Sequence, residues 1–181
     1  VTNKKNWRIE RRNDMINLIN RLKWFVGLVL LQVLILNKMH ISGCAIPFLY
    51  IYFILKFHSR ASRNELVLWG FFLGVVVDMF CNTPGMNAAS LTCLAFFRTS
   101  LLRLVTLRDV DDDFEPGIRA LGVPAFLKYI LLSSALFCTV FLCIDTFSFF
   151  HWNVLWIKIL ASTLATMLCV FCAEIVGGEK L

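Results

Sequence analysis

The chain has 181 residues, of which 59% are hydrophobic and only 17% charged, with seventeen Phe and a mean hydropathy of +0.73. Soluble domains hold nearer half apolar and a quarter charged residues, so this composition argues against an ordinary water-soluble fold and for an integral membrane protein. The net charge of +6 is unevenly placed, with Lys4, Lys5, Arg8, Arg11 and Arg12 crowding the N-terminus against Glu10 and Asp14.

That basic run reads as a solvated segment resting near anionic lipid. Nucleic acid is excluded as a partner, because no nucleic-acid-binding fold follows the run. Next, Met15, Ile16, Ile19 and Leu22 recur at helical spacing beside Arg11, Arg12 and Arg21, which predicts an interfacial helix leading into the first span. Six membrane helices are expected: Leu22 to Asn37, Cys44 to Phe57, Glu65 to Phe80, Met86 to Leu107, Ala125 to Phe149 and Val154 to Val176. The second and third are shorter than the ~20 residues that cross a bilayer comfortably. The first apolar run lacks a small-residue cleavage site and is followed by more spans, so it reads as a span rather than a cleavable signal. The expected organisation is a basic cytoplasmic or interfacial segment, residues 1–21, followed by a six-helix transmembrane domain, residues 22–181.

Charge placement orients this all-α membrane protein with both termini in the cytoplasm. Sixteen of the eighteen Lys and Arg then fall inside and only Lys38 and Lys158 outside, as the positive-inside rule expects. Trp24 and Trp152 fall at the expected interfaces. The longest break, RDVDDDFEPGIRALGVP, holds Asp109, Asp111, Asp112, Asp113 and Glu115. It lacks the spacing of a calcium loop and reads as a solvated cytoplasmic loop. The cysteines form no framework. Cys138, Cys143, Cys169 and Cys172 read as small hydrophobes, and Cys44 with Cys81 is a pair that an oxidising compartment would allow to bridge.

The third span carries the informative residues, GFFLGVVVDMFCNTPGMNAAS. Gly70, Gly74 and Asp78 are four apart and share a helical face. The glycines admit a second backbone at close range. A carboxylate in a span must be paired, protonated or wetted, so Asp78 points away from lipid. Asn82, Thr83, Pro84 and Gly85 compose a tight turn. Gly85, Ala89 and Cys93 then repeat every four residues, so a close antiparallel hairpin between two small-residue faces is expected. Asn87 and Ser90 are the expected hydrogen-bond partners of Asp78. Arg98 lies about 18 Å down the fourth helix by helical rise, too far for a direct pair, and is a candidate for another buried contact. Asp145, Lys158 and Glu174 read as interfacial. His40, His58 and His151 are scattered, and no metalloprotease, nucleophile-elbow or phosphate-loop motif occurs. The chain therefore reads as a non-enzyme without cofactor or metal.

The segments LQVLILNKMHISGCAIPFLYIYFIL and GFFLGVVVDMFCNTPGMNAAS, then AFFRTSLLRL and the RD before an acidic EPG loop, resemble the rod shape-determining MreD family in its Bacteroidetes-type branch. FLKYILL and DTFSFFHW continue the likeness, which covers roughly residues 22–176. The matched positions are Gly70, Gly74, Asp78, Pro84, Gly85 and Arg98; Thr99 stands where relatives often have proline, so a local kink there is not expected. The resemblance implies a six-span protein of the bacterial inner membrane, related in fold to the substrate-binding subunits of energy-coupling-factor transporters. It further implies a scaffold role in rod-shaped growth, with MreC as partner and MreB, RodA and the elongation penicillin-binding protein nearby. Its lipid-facing surface or a groove between helices would clasp the partner's single span, with small residues allowing close approach. The alternative is a small-solute-binding transporter subunit, with Asp78, Asn82 and Asn87 facing an outer pocket.

Overall fold

The computed structural model describes residues 23, 25–32, 47–57, 61–106, 116–146 and 152–177. The expected interfacial helix, the N-terminal basic run, Cys44, the three histidines and the acids of the 109–115 loop lie outside those residues. The described residues are mostly helical, with no strand among them. In chain order the helices are α1 (residues 25–32), α2 (Ile51–Leu55), α3 (Arg63–Cys81), α4 (Met86–Val105), α5 (Ile118–Leu121), α6 (Val123–Asp145) and α7 (Trp152–Gly177).

Local chemistry fixes their ends. Before α3, the Ser62 hydroxyl accepts the Glu65 N–H at 3.2 Å, half of a Ser-x-x-Glu capping box. The helix closes on Asn82 in the left-handed region at φ 55°, a conformation Asn tolerates better than most residues. Gly85 opens α4 at φ +81°. Pro124 sits in the first turn of α6, where a missing N–H removes no helical bond. The α4 helix runs unbroken through Thr99, as expected without a proline there.

Among the described residues four helices are long and apolar enough to cross a membrane: Arg63–Cys81, Met86–Val105, Val123–Asp145 and Leu155–Val176. They correspond to the third to sixth expected spans. The second expected span differs. Between Pro47 and Phe57 only Ile51–Leu55 is α-helical, about 7.5 Å of rise, and Pro47–Tyr50 is not helical. A continuous apolar run does not distinguish a helix from a short helix joined to an extended turn. The short α5 helix in the break before α6 was also not expected.

Neighbours in sequence pack as neighbours in space: α3 on α4, α4 on α6, α6 on α7. The small α2 touches all four and is buried throughout, every residue from Ile51 to Leu55 being no more than 6% exposed. The four long helices thus form an arc about this central piece. Aromatic contacts lock it in place. Phe48 packs against Phe137 and Phe141 of α6 at ring-centroid distances of 5.1 and 4.8 Å, and Phe53 meets Trp69 of α3 at 5.9 Å and Phe25 of α1 at 5.6 Å. Such pairs contribute about 0.5–1.5 kcal/mol each beyond burial.

Non-helical backbone at this depth is tolerated only where protein satisfies its polar groups. Gln32 does so with both ends of its amide, donating to the Pro47 carbonyl and accepting the Leu49 N–H, each at 2.9 Å. Thr166 of α7 accepts the Phe48 N–H at 3.2 Å.

Candidate functional site

The α3–α4 hairpin contains the residues singled out from sequence. The Asp78 side chain is 7% exposed and reaches across the turn to the start of α4. Its Oδ1 accepts the Asn87 N–H at 3.0 Å, the Asn87 side-chain amide at 2.9 Å and the Thr83 hydroxyl at 2.9 Å; Oδ2 accepts the Ala88 N–H at 3.0 Å. A helix begins with four N–H groups lacking helical partners. In α4 the Met86 N–H goes to the Thr83 carbonyl, and those of Asn87 and Ala88 go to Asp78. The N-cap, Gly85, has no side chain to offer, and the carboxylate of the preceding helix takes that role. Its negative charge also faces the positive end of the α4 dipole.

Asn87 links the cap to the core. Its amide also donates to the Thr83 hydroxyl at 2.9 Å, and its carbonyl oxygen accepts from the Tyr50 hydroxyl. Ser90, expected to bond Asp78, instead donates to the Met86 carbonyl of its own helix at 2.7 Å. Tyr50 was missed; it lies 37 residues from Asn87, and only a hydroxyl at the edge of an apolar run hinted at it.

The two glycines admit α4. A Cβ placed on Gly74 would lie 2.3 Å from the Ala88 Cα and 2.6 Å from its nitrogen. On Gly70 it would lie 3.0 Å from the Leu91 carbonyl oxygen and 3.1 Å from the Ala95 Cβ. This face is therefore filled by the chain's own helix and is closed to another chain's span. The facing stripe on α4 is Ala88, Leu91 and Ala95, all buried. The expected stripe of Gly85, Ala89 and Cys93 is rotated away from α3's glycines and lines an outward-facing groove of about 590 Å³, walled by Val67 and Phe71 of α3 and by Phe96 and Phe97 of α4. Asp78 explains the rotation, because the carboxylate must meet the N–H groups of both Asn87 and Ala88. Asn82, Pro84, Gly85 and Ala89 are exposed, so Asn82 does not share a pocket with Asp78 and Asn87.

Arg98 sits apart from Asp78 and is fully buried. Its guanidinium donates to the Leu55 carbonyl at 3.3 Å and to that of Phe57, and the Tyr129 hydroxyl donates to Leu55 at 3.4 Å. These are carbonyls at the C-terminal end of α2, which a cation suits.

A third polar cluster was not expected. Glu174, read from sequence as interfacial, is 5% exposed. Both its oxygens accept from Lys56 at 2.9 Å; the Tyr52 hydroxyl donates to Oε2 at 2.7 Å and the Ile118 N–H to Oε1 at 3.3 Å. A Cβ on Gly117 would lie 2.6 Å from Glu174 Oε1. One carboxylate therefore ties the ends of α2 and α7 to the start of α5. The partners are 118 residues apart, beyond the reach of any local pattern. Replacing Lys56 by Met strands a buried carboxylate and should lower stability by about 3 kcal/mol, whereas replacing both residues by Met should recover most of the loss. Denaturant unfolding of the single and double variants gives the coupling. An additive double variant would show that the pair is not coupled. Asp145 is exposed, as expected. Cys81 carries a free thiol.

The fold and these clusters define a class: a multi-pass helical membrane protein whose described buried charges serve as caps and struts between helices. No protein-family model, curated protein or solved structure matches the chain.

Proposed function

We propose that this chain is a non-catalytic membrane scaffold of the cell-wall elongation machinery, of the MreD type, crossing a bacterial inner membrane six times, the second pass broken around the short α2, with both termini in the cytoplasm. In this reading its fold is related to the substrate-binding subunits of energy-coupling-factor transporters, and its partner is the bitopic MreC, with MreB, RodA and the elongation penicillin-binding protein nearby. One observation carries the preference for a scaffold. Asp78, Arg98 and Glu174 each bond to the chain's own backbone, while the open groove is walled by apolar residues. A catalytic or solute site needs convergent polar groups facing a cavity; a scaffold needs rigid helices and an apolar exterior.

The test is affinity isolation from native membrane in mild detergent. A single-span partner at a fixed ratio is expected, together with loss of rod shape when the chain is depleted from its host. Recovery of no such partner and unaltered shape would remove the reading.

The interrupted α2 favours a second reading, a small-solute-binding transporter subunit, since broken helices line transporter sites. Here the N–H groups of Phe48 and Leu49 are already bonded to Thr166 and Gln32, which ranks this reading lower. Saturable thermal stabilisation by one member of a vitamin panel would reverse the order.

A further inference from the structure

We propose that residues 116–122 form a strap, hinged at Gly122, that opens and closes over the Lys56–Glu174 ion pair while the long helices stay packed. The segment holds itself together. The Leu121 and Ala120 N–H groups go to the Gly117 carbonyl at 3.0 and 3.2 Å, and that of Gly122 goes to the Ile118 carbonyl at 2.9 Å. It therefore moves as one turn. Gly122 joins it to α6 at φ 78° and ψ 158°, a backbone region essentially confined to glycine. Glycine is also free to leave that region for many others, which suits it to absorb a swing.

Shape docks the strap, and few bonds hold it. Pro116 and Gly117 are buried, and the missing Gly117 side chain leaves room for both charges. A Cβ there would lie 2.6 Å from Glu174 Oε1 and 3.2 Å from Lys56 Nζ. No α5 side chain is fully buried; Ile118 and Leu121 are half-buried, and Arg119 and Ala120 are exposed. Among the described residues, one hydrogen bond ties the strap to an element other than α6, the Ile118 N–H to Glu174 Oε1 at 3.3 Å. Beneath it, the same carboxylate is held by three shorter bonds, two from Lys56 at 2.9 Å and one from the Tyr52 hydroxyl at 2.7 Å. Lifting the strap breaks the longest of these bonds and leaves the tie between α2 and α7 in place. Segments with few buried contacts open at free energies well below that of global unfolding.

Opening has a chemical consequence. Glu174 is 5% exposed with the strap closed. Lifting Gly117 and Ile118 admits water to the carboxylate, which weakens its attraction to Lys56. The position of the strap thus sets how strongly the ends of α2 and α7 attract one another. The inference does not rest on the scaffold reading.

The experiment follows the full chain in lipid nanodiscs by amide hydrogen exchange and by carbodiimide-driven labelling of Glu174 with a water-soluble amine. In wild type the Ile118 amide should exchange at least about a hundredfold faster than the α6 amides of residues 133–137, as local opening allows. Glu174 should label with a protection factor matching that of Ile118. In Gly117→Ala the new Cβ meets a carboxylate pinned by three bonds, so the strap is the part that gives. That variant should raise Ile118 exchange and Glu174 labelling together, about tenfold each, with the α7 amides of residues 166–173 unchanged. The wild-type comparison decides by itself if Gly117→Ala fails to fold. Ile118 exchange no faster than that of the α6 amides would overturn the proposal. So would Glu174 labelling that follows the α7 amides in place of Ile118, or a folded Gly117→Ala protein in which neither readout moves.

Discussion

Replacing Asp78 by Ala is expected to lower the unfolding free energy of the detergent-solubilised chain by about 4 kcal/mol or more. Four donors lose their acceptor at once: the N–H groups of Asn87 and Ala88, the Asn87 amide and the Thr83 hydroxyl. Each buried group left unbonded costs about 1–3 kcal/mol, and Thr83, at the edge of the cluster, recovers part of its share from water. Asp78→Asn tests the geometry more finely. Both carboxylate oxygens accept from backbone N–H groups, so whichever way the amide is turned its NH₂ meets a donor. The loss should be about 2 kcal/mol, one bond and the charge–dipole term together. Thermal unfolding followed by helical circular dichroism should rank wild type above Asp78→Asn above Asp78→Ala. An Asp78→Ala protein as stable as wild type would mean that the carboxylate does not cap α4.

Substitution at Gly74 should be at least as damaging, for a different reason. The atoms that a new Cβ would meet belong to the Ala88 backbone, which cannot swing aside as the end of a side chain can. Gly74→Ala must force the helices apart and should cost more than about 3 kcal/mol, above the usual range for overpacking; Gly74→Leu should prevent the hairpin from closing. Gly70→Ala meets its neighbours at 3.0 and 3.1 Å, so a shift of a few tenths of an ångström relieves it and the loss should be about 1 kcal/mol. The order Gly74→Ala worse than Gly70→Ala separates close backbone contact from helix propensity, which would penalise the two glycines alike. Equal stability of both variants would remove the contact argument.

Much of this hairpin was legible in the sequence. Gly70, Gly74 and Asp78 at intervals of four announce a shared face, and a carboxylate on it announces a buried partner. The rotation of α4 was not legible, because the stripe of Gly85, Ala89 and Cys93 and the stripe of Ala88, Leu91 and Ala95 lie about 130° apart on that helix and periodicity cannot choose between them. The choice depends on which N–H groups reach Asp78, a three-dimensional fact. The four long helices were legible from hydropathy alone. The second expected span was misread because its apolar run reports burial and not conformation; Pro47 and a length short of a full crossing were the available warnings. Lys56 with Glu174 and Tyr50 with Asn87 join distant positions, and no local pattern carries such pairs.

The arrangement around Phe48 constrains how the chain is assembled. Its N–H is received by Thr166, 118 positions further along. During synthesis the stretch from Pro47 to Tyr50 exists long before its acceptor has been made. It cannot settle at its final depth until the last long helix is in the bilayer, because an unbonded amide in hydrocarbon is too costly to wait there. Seating this piece is therefore a closing step of biogenesis, and a nascent chain stopped before α7 should hold it near the water interface, within reach of an aqueous thiol reagent at a cysteine introduced there.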